Sequence, residues 1–145
     1  MCLFQPERRL LISGDHLLGR ISLFYDYGWT PDPVGEFLSS LDAVEQLDAR
    51  LCLAGHGRPF LDVKAHIEAN RELVDERLRA VRAAIQDVPR TAVEISPEVY
   101  GEPITPANAS WLLSQTLCYL GHLELDGRVE RVDEAAEQPQ LWRAA

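Results

Sequence analysis

Positive charge is scarce in this chain of 145 residues: 14 Lys and Arg stand against 23 Asp and Glu, giving a net charge of −9 and a pI near 4.8. Such a surface repels phosphate, which disfavours nucleic-acid binding by bulk charge. Cysteine is scarce too. Cys2, Cys52 and Cys118 are odd in number, far apart and set in apolar runs, so no disulfide framework is implied and the thiols read as buried in a reducing compartment. No apolar run approaches the length that spans a bilayer. Met1 to Phe4 lead straight into an apolar run without a basic region or a small-residue cleavage site, so no secretory signal is readable and the expected location is the cytoplasm. Low-complexity tracts and internal repeats are also missing, which excludes linkers and solenoids.

What is present is the composition of a folding chain, 46% hydrophobic, long enough for one medium or two small domains. Two short apolar runs, Cys2 to Phe4 and Leu10 to Ile12, flank a polar turn and predict a β-hairpin. Residues 19–33 form an irregular stretch carrying Phe24, Tyr25, Tyr27 and Trp29, too aromatic for a solvated loop and therefore expected to pack. Asp32 as N-cap and Pro33 as first residue open a helix with Val34, Phe37, Leu38, Leu41 and Val44 at helical spacing. Leu51 to Ala54 reads as a short buried strand ending at Gly55, His56, Gly57, where the glycines free the backbone to turn. From Asp62 the spacing of Val63, Ile67, Val74, Leu78, Val81 and Ile85 predicts a long helix ending near Pro89.

A domain boundary is expected there, dividing residues 1–88 from 89–145. The second part is read as a short helix over residues 91–95, a helix from Pro106 through Leu120 stopped by Gly121, and a hairpin whose strands, 123–125 and 129–132, flank Asp126 and Gly127. The apolar face of the second helix is Ala109, Leu112, Leu113, Thr116, Leu117 and Leu120. Helices followed by a hairpin suggest a winged-helix module. Residues 1–90 carry a net charge of −3 and residues 91–145 a net charge of −6, and the helix from Pro106 to Leu120 has no Lys or Arg. The module is therefore expected to serve packing or dimerisation rather than DNA reading.

Two segments share one design. A short apolar strand ends in a Gly-containing turn presenting a ligand-type side chain, first at Gly14 and Asp15, then at Gly55, His56 and Gly57. Asp can bridge two cations through its two oxygens, and neutral His is the commonest nitrogen ligand of zinc. His16 is a candidate third ligand but, as the neighbour of Asp15 on an extended chain, is expected to point the other way, and His66 and His122 are read as structural. Tyr25, Tyr27 and Trp29 follow Asp15 closely enough to line a cleft or else to pack a loop. Arg58 stands either to contact an anionic substrate or to brace its turn. Trp111 and Trp142 are read as core or interface anchors.

The order of these segments, LLISGDHLLG, LCLAGHGRPF and DVKAHIEANRELVDERL, resembles the C-terminal half of the metallo-β-lactamase superfamily. The tail ITPANASWLLSQTLCYLGHLELDGRVERV is similar to the winged-helix extension of its glyoxalase II-related branch, and the resemblance covers essentially all the residues. It implies an α+β fold, the C-terminal half of the αβ/βα sandwich followed by a small winged-helix domain. It implies that Asp15 is the aspartate bridging two metal ions, expected to be zinc, and that His56 is the late histidine on the second. It also implies hydrolysis of a small-molecule thioester, lactone, lactam or phosphodiester by a metal-bound hydroxide that Asp15 positions. Tyr25 and Arg58 are the substrate-side candidates.

The superfamily's HxHxDH ligands occur nowhere in the sequence. Three readings follow. The chain is the C-terminal portion of a hydrolase, inactive alone; it assembles with a separate chain carrying the HxHxDH half; or it is a catalytically inactive interaction module. With half of a sandwich, it is expected to self-associate.

Overall fold

The computed structural model describes residues 1–132 and 139–145, and its architecture is α+β. Among these residues ten elements follow in order: strands β1 (Leu3–Gln5) and β2 (Leu10–Gly14), helix α1 (Pro33–Glu45), strand β3 (Leu51–Ala54), helix α2 (Val63–Ala84), strand β4 (Arg90–Thr91), helices α3 (Ala92–Tyr100) and α4 (Ala109–Leu125), and strands β5 (Val129–Arg131) and β6 (Leu141–Ala144). They gather into two compact units, residues 1–23 with 36–73, and residues 24–35 with 74–145. The expected division between residues 88 and 89 follows the order of the chain, whereas the second unit also takes in the aromatic loop and the latter part of α2.

Unit 1 is built on a three-stranded sheet in the order β1-β2-β3. β1 and β2 form the antiparallel hairpin the sequence predicts, and β2 pairs parallel with β3, with α1 in the crossover between them. Leu11 and Cys52 of this sheet are fully buried with Leu17, Leu41, Val44, Val63 and Ile67 in one cluster. The opposite face is left open. Leu3 pairs with Ile12 and Ile12 with Leu53, a row of apolar cross-strand neighbours of which Leu3 is 58% and Ile12 43% exposed.

Unit 2 buries Ile95, Leu112, Tyr119, Leu120, Leu123, Val129 and Trp142 among others, with a three-stranded antiparallel sheet in the order β4-β6-β5. Helix α3 runs further than residues 91–95, because Thr91 and Glu94 close a reciprocal capping box at its start and Gly101, in the left-handed region, donates to the Pro97 carbonyl at its end. Helix α4 begins after Asn108, residues 105–108 forming a turn, and passes through Gly121 to Leu125. Buried Leu120 and Leu123 flank that glycine, and packing outweighs the helix cost of one Gly, about 1 kcal/mol. Residues 123–125 are therefore helical, and the partner of β5 is β6.

Most of the aromatic loop does not pack. Phe24, Tyr27 and Trp29 are exposed, while Tyr25 is buried against Tyr119, ring edge to ring face at 5.6 Å. Ser114 and Gln115 of α4 both donate to the Tyr25 carbonyl, at 2.9 and 3.1 Å.

Candidate functional site

Parallel strands place their C-terminal ends side by side, and ligands of open α/β sheets collect at that edge. In unit 1 this edge is formed by β2 and β3. The register runs Ile12 with Leu53 and then Gly14 with Ala54, so Ser13 is an extra residue that bulges β2 just before it ends. Ser13 is buried and satisfied: its hydroxyl donates to the Leu17 carbonyl at 2.8 Å, and the Cys52 thiol lies 3.2 Å away. Gly14 takes a positive φ of 55°, and the Gly55 amide donates to its carbonyl at 2.7 Å.

Gly55 allows the two turns to approach this closely. A Cβ at that position would lie 2.6 Å from Asp15 Oδ1 and 3.0 Å from the Gly14 carbonyl carbon. With no Cβ there, the next side chains converge, and His56 Nε2 stands 3.4 Å from Asp15 Oδ1. Both remain open to solvent, with 78% of the His56 side chain and 72% of the Asp15 side chain exposed.

The other sequence candidates fall elsewhere. His16 is half-buried, with Nε2 3.4 Å from the Ser40 hydroxyl and its ring edge-on to Phe37, and burial pushes its pKa down. His66 stacks on Phe60 at 4.0 Å, with ring nitrogens 3.1 and 3.3 Å from the Gly19 and Asp62 carbonyl oxygens. Arg58 is exposed and forms no ion pair among the described residues. Tyr25 lies in the interior of unit 2, its hydroxyl raised in pKa by burial, so the reading of a loop residue packed on the core describes it rather than that of a cleft lining. Trp142 is buried, whereas Trp111 is 37% exposed.

One pair escapes the sequence reading. His122, inside α4 rather than after its end, holds Asp32 with Nδ1 2.9 and 3.0 Å from the two carboxylate oxygens. Asp32 Oδ1 also accepts from the Gly35 amide at 2.9 Å, capping α1 as expected. The residues stand 90 positions apart, and no local signal joins them.

An aspartate and an imidazole are suitable donors for a divalent cation, and the geometry lets both face one. A catalytic zinc takes three protein ligands and a water. Among the described residues no group of three or more His, Cys, Asp or Glu could hold a metal ion. Asp15 and His56 therefore fit a share of such a centre, and these residues do not complete one.

No family model and no curated protein sequence matches the chain. Solved structures do. A metallo-beta-lactamase family protein from Thermus thermophilus superposes with a TM-score of 0.84 at 29% identity. A beta-lactamase domain protein from Burkholderia ambifaria superposes with a TM-score of 0.90, also at 29% identity. In both cases the match covers 99% of this chain and 44% of the other, so the chain spans less than half the length of these proteins. The chain has a fold of the metallo-β-lactamase superfamily, of the kind seen in the C-terminal half of its members.

Proposed function

We propose that this chain is the C-terminal portion of a zinc-dependent hydrolase and contributes Asp15 and His56 to a metal centre whose other ligands lie outside these residues. The observation that carries the reading is the convergence of the two side chains, 3.4 Å apart at the ends of paired parallel strands. The open face of the sheet supports it, because Leu3, Ile12 and Leu53 form an apolar row that a second sheet layer would cover. In a complete centre the metals, held in part by Asp15 and His56, would supply a bound water acidified to near neutrality. The part of this chain is to hold the Asp15 carboxylate and the His56 imidazole at one edge, with the Gly14 and Gly55 backbones locked together behind them. Exposed Arg58, two residues on, is available to an anionic group on a small-molecule substrate.

The part of unit 2 after α2, with helices α3 and α4 and the β4-β6-β5 sheet, is read as a winged-helix module used for packing, and nucleic acid is not the expected partner. Among the described residues no helix is long and apolar enough to cross a membrane, and the proposed location is the cytoplasm. The incomplete donor set favours a second reading, a non-catalytic interaction module.

Zinc content separates the readings. The isolated chain is expected to hold less than one equivalent after dialysis, and to gain zinc and hydrolytic activity when a polypeptide carrying the HxHxDH half is added. Zinc uptake and activity that stay unchanged on that addition would overturn the proposal and leave the interaction module, and activity that survives Asp15→Ala with His56→Ala would overturn the role given to these two residues.

A further inference from the structure

Gly121 lies in the interior of α4, where glycine is a poor helix former. Neither close packing nor backbone geometry demands it: its φ is not positive, and a Cβ built there meets no atom beyond its own stretch of helix within 4 Å. The open space is a cavity of about 320 Å³ within unit 2, a size that holds a small molecule. Pro31, Leu117, Leu125 and the ring of Trp142 give it apolar walls.

Of the polar groups on those walls, the Arg131 guanidinium and the Trp142 indole only donate, the Tyr27 and Thr30 hydroxyls both donate and accept, and the Cys118 thiol donates weakly. Trp142 is 3% exposed, and neither its indole nitrogen nor the Thr30 hydroxyl, also on the wall, has a hydrogen-bond partner among the described residues. An indole N–H can only donate. The one carboxylate, Glu124, is already held by Arg131, Nη2 to Oε2 at 2.9 Å. Arg131 lies over the Trp142 ring, its central carbon 5.0 Å from the ring centroid, so the guanidinium covers one face of that ring and, itself on the cavity wall, gives the wall a flat cation. Its guanidinium carries five N–H donors, and the ion pair with Glu124 engages one nitrogen.

We propose that this cavity is a second binding site, independent of Asp15 and His56, for a small molecule with a flat apolar body and one carboxylate. The body fills the space in front of Gly121 against Pro31, Leu117 and Leu125, and the carboxylate takes the remaining donors of Arg131. The site stands on unit 2 alone, so failure of the metal-centre reading leaves it untouched.

The test is calorimetry and ligand-detected NMR on the full chain with three probes of one shape: naphthoate, naphthylmethylamine and naphthalenemethanol. Naphthoate is expected to saturate one site and bind at least about tenfold tighter than the amine. Gly121→Leu fills the cavity with a better helix former, so naphthoate affinity is expected to drop at least about tenfold while the helical circular dichroism is kept. Leu125 is 63% exposed, and Leu125→Trp at the wall gives the same loss if the first variant does not fold. Arg131→Gln is expected to lower naphthoate to the level of the alcohol. The proposal is overturned if the wild type shows no saturable binding of naphthoate, if the amine binds as well, or if the folded filled-cavity variant keeps its affinity.

Discussion

Asp15 with His56 and Asp32 with His122 are the same side-chain types at similar separations, 3.4 and 2.9 Å, one pair in each unit. Their surroundings give them different work. In unit 2 the pair is mostly covered, with 14% of the His122 side chain and 29% of the Asp32 side chain exposed, and Asp32 also caps α1. Its oxygens are taken, so the pair reads as a clasp between the loop and α4. In unit 1 both side chains stand open at a strand edge, and no other hydrogen bond or ion pair of theirs is seen among the described residues. Proximity of Asp to His is thus not by itself the mark of a metal ligand. Unspent donor capacity, held in place by backbone rather than by side-chain partners, is the distinguishing feature.

The sharpest way to break this contrast is to disturb the backbone behind the open pair. Gly55→Ala puts a methyl against the Gly14 backbone and Asp15, and is expected to lower stability by about 1–3 kcal/mol in urea unfolding. Next comes the covered pair. Asp32→Ala removes the α1 cap and the partner of His122 and is expected to cost about 1–2 kcal/mol, whereas Asp32→Asn keeps the cap and recovers most of that loss. An equal loss in both variants would show that the cap contributes little beside the charge.

A smaller effect tests burial rather than pairing. His16 has a pKa pushed down by burial first and by the N-terminal charge second. The unfolded chain then takes up the proton first as pH falls, so the contribution of this group to stability is whole above its unfolded pKa, near 6.5, and lost as pH falls through its folded value. His16→Gln is expected to flatten, by a small amount after solvent screening, the fall in stability read from urea unfolding as pH drops below about 6.5. The smallest change is expected at the open pair: Asp15→Ala and His56→Ala should each shift stability by no more than about 0.5 kcal/mol. A larger loss at either would make that pair structural too.

The elements of unit 1 were legible because each rests on a local rule. The hairpin and β3 show as apolar runs bounded by turn residues, and α1 shows its cap, its proline and its apolar stripe. In unit 2 local rules misplace boundaries. Gly121 is a stop signal by itself, and Asp126 with Gly127 is a hairpin turn by itself, yet Leu120 and Leu123 bury on one helix that runs through the first and ends at the second. Tyr25 and Trp29 look equivalent in a loop of aromatics, and only contact with α4 decides that the first is core and the second is surface.

For the candidate site, the chain order of Gly14, Asp15, Gly55 and His56 determined which side chains end the two strands, because the residues after a strand are set by where its apolar run stops. That the strands are adjacent and parallel, that Ser13 bulges to bring their ends level, and that Asp32 meets His122 across 90 positions were decided by the tertiary structure. Turn chemistry acts over a few residues and is written locally, whereas pairing between distant segments depends on which apolar surfaces bury each other.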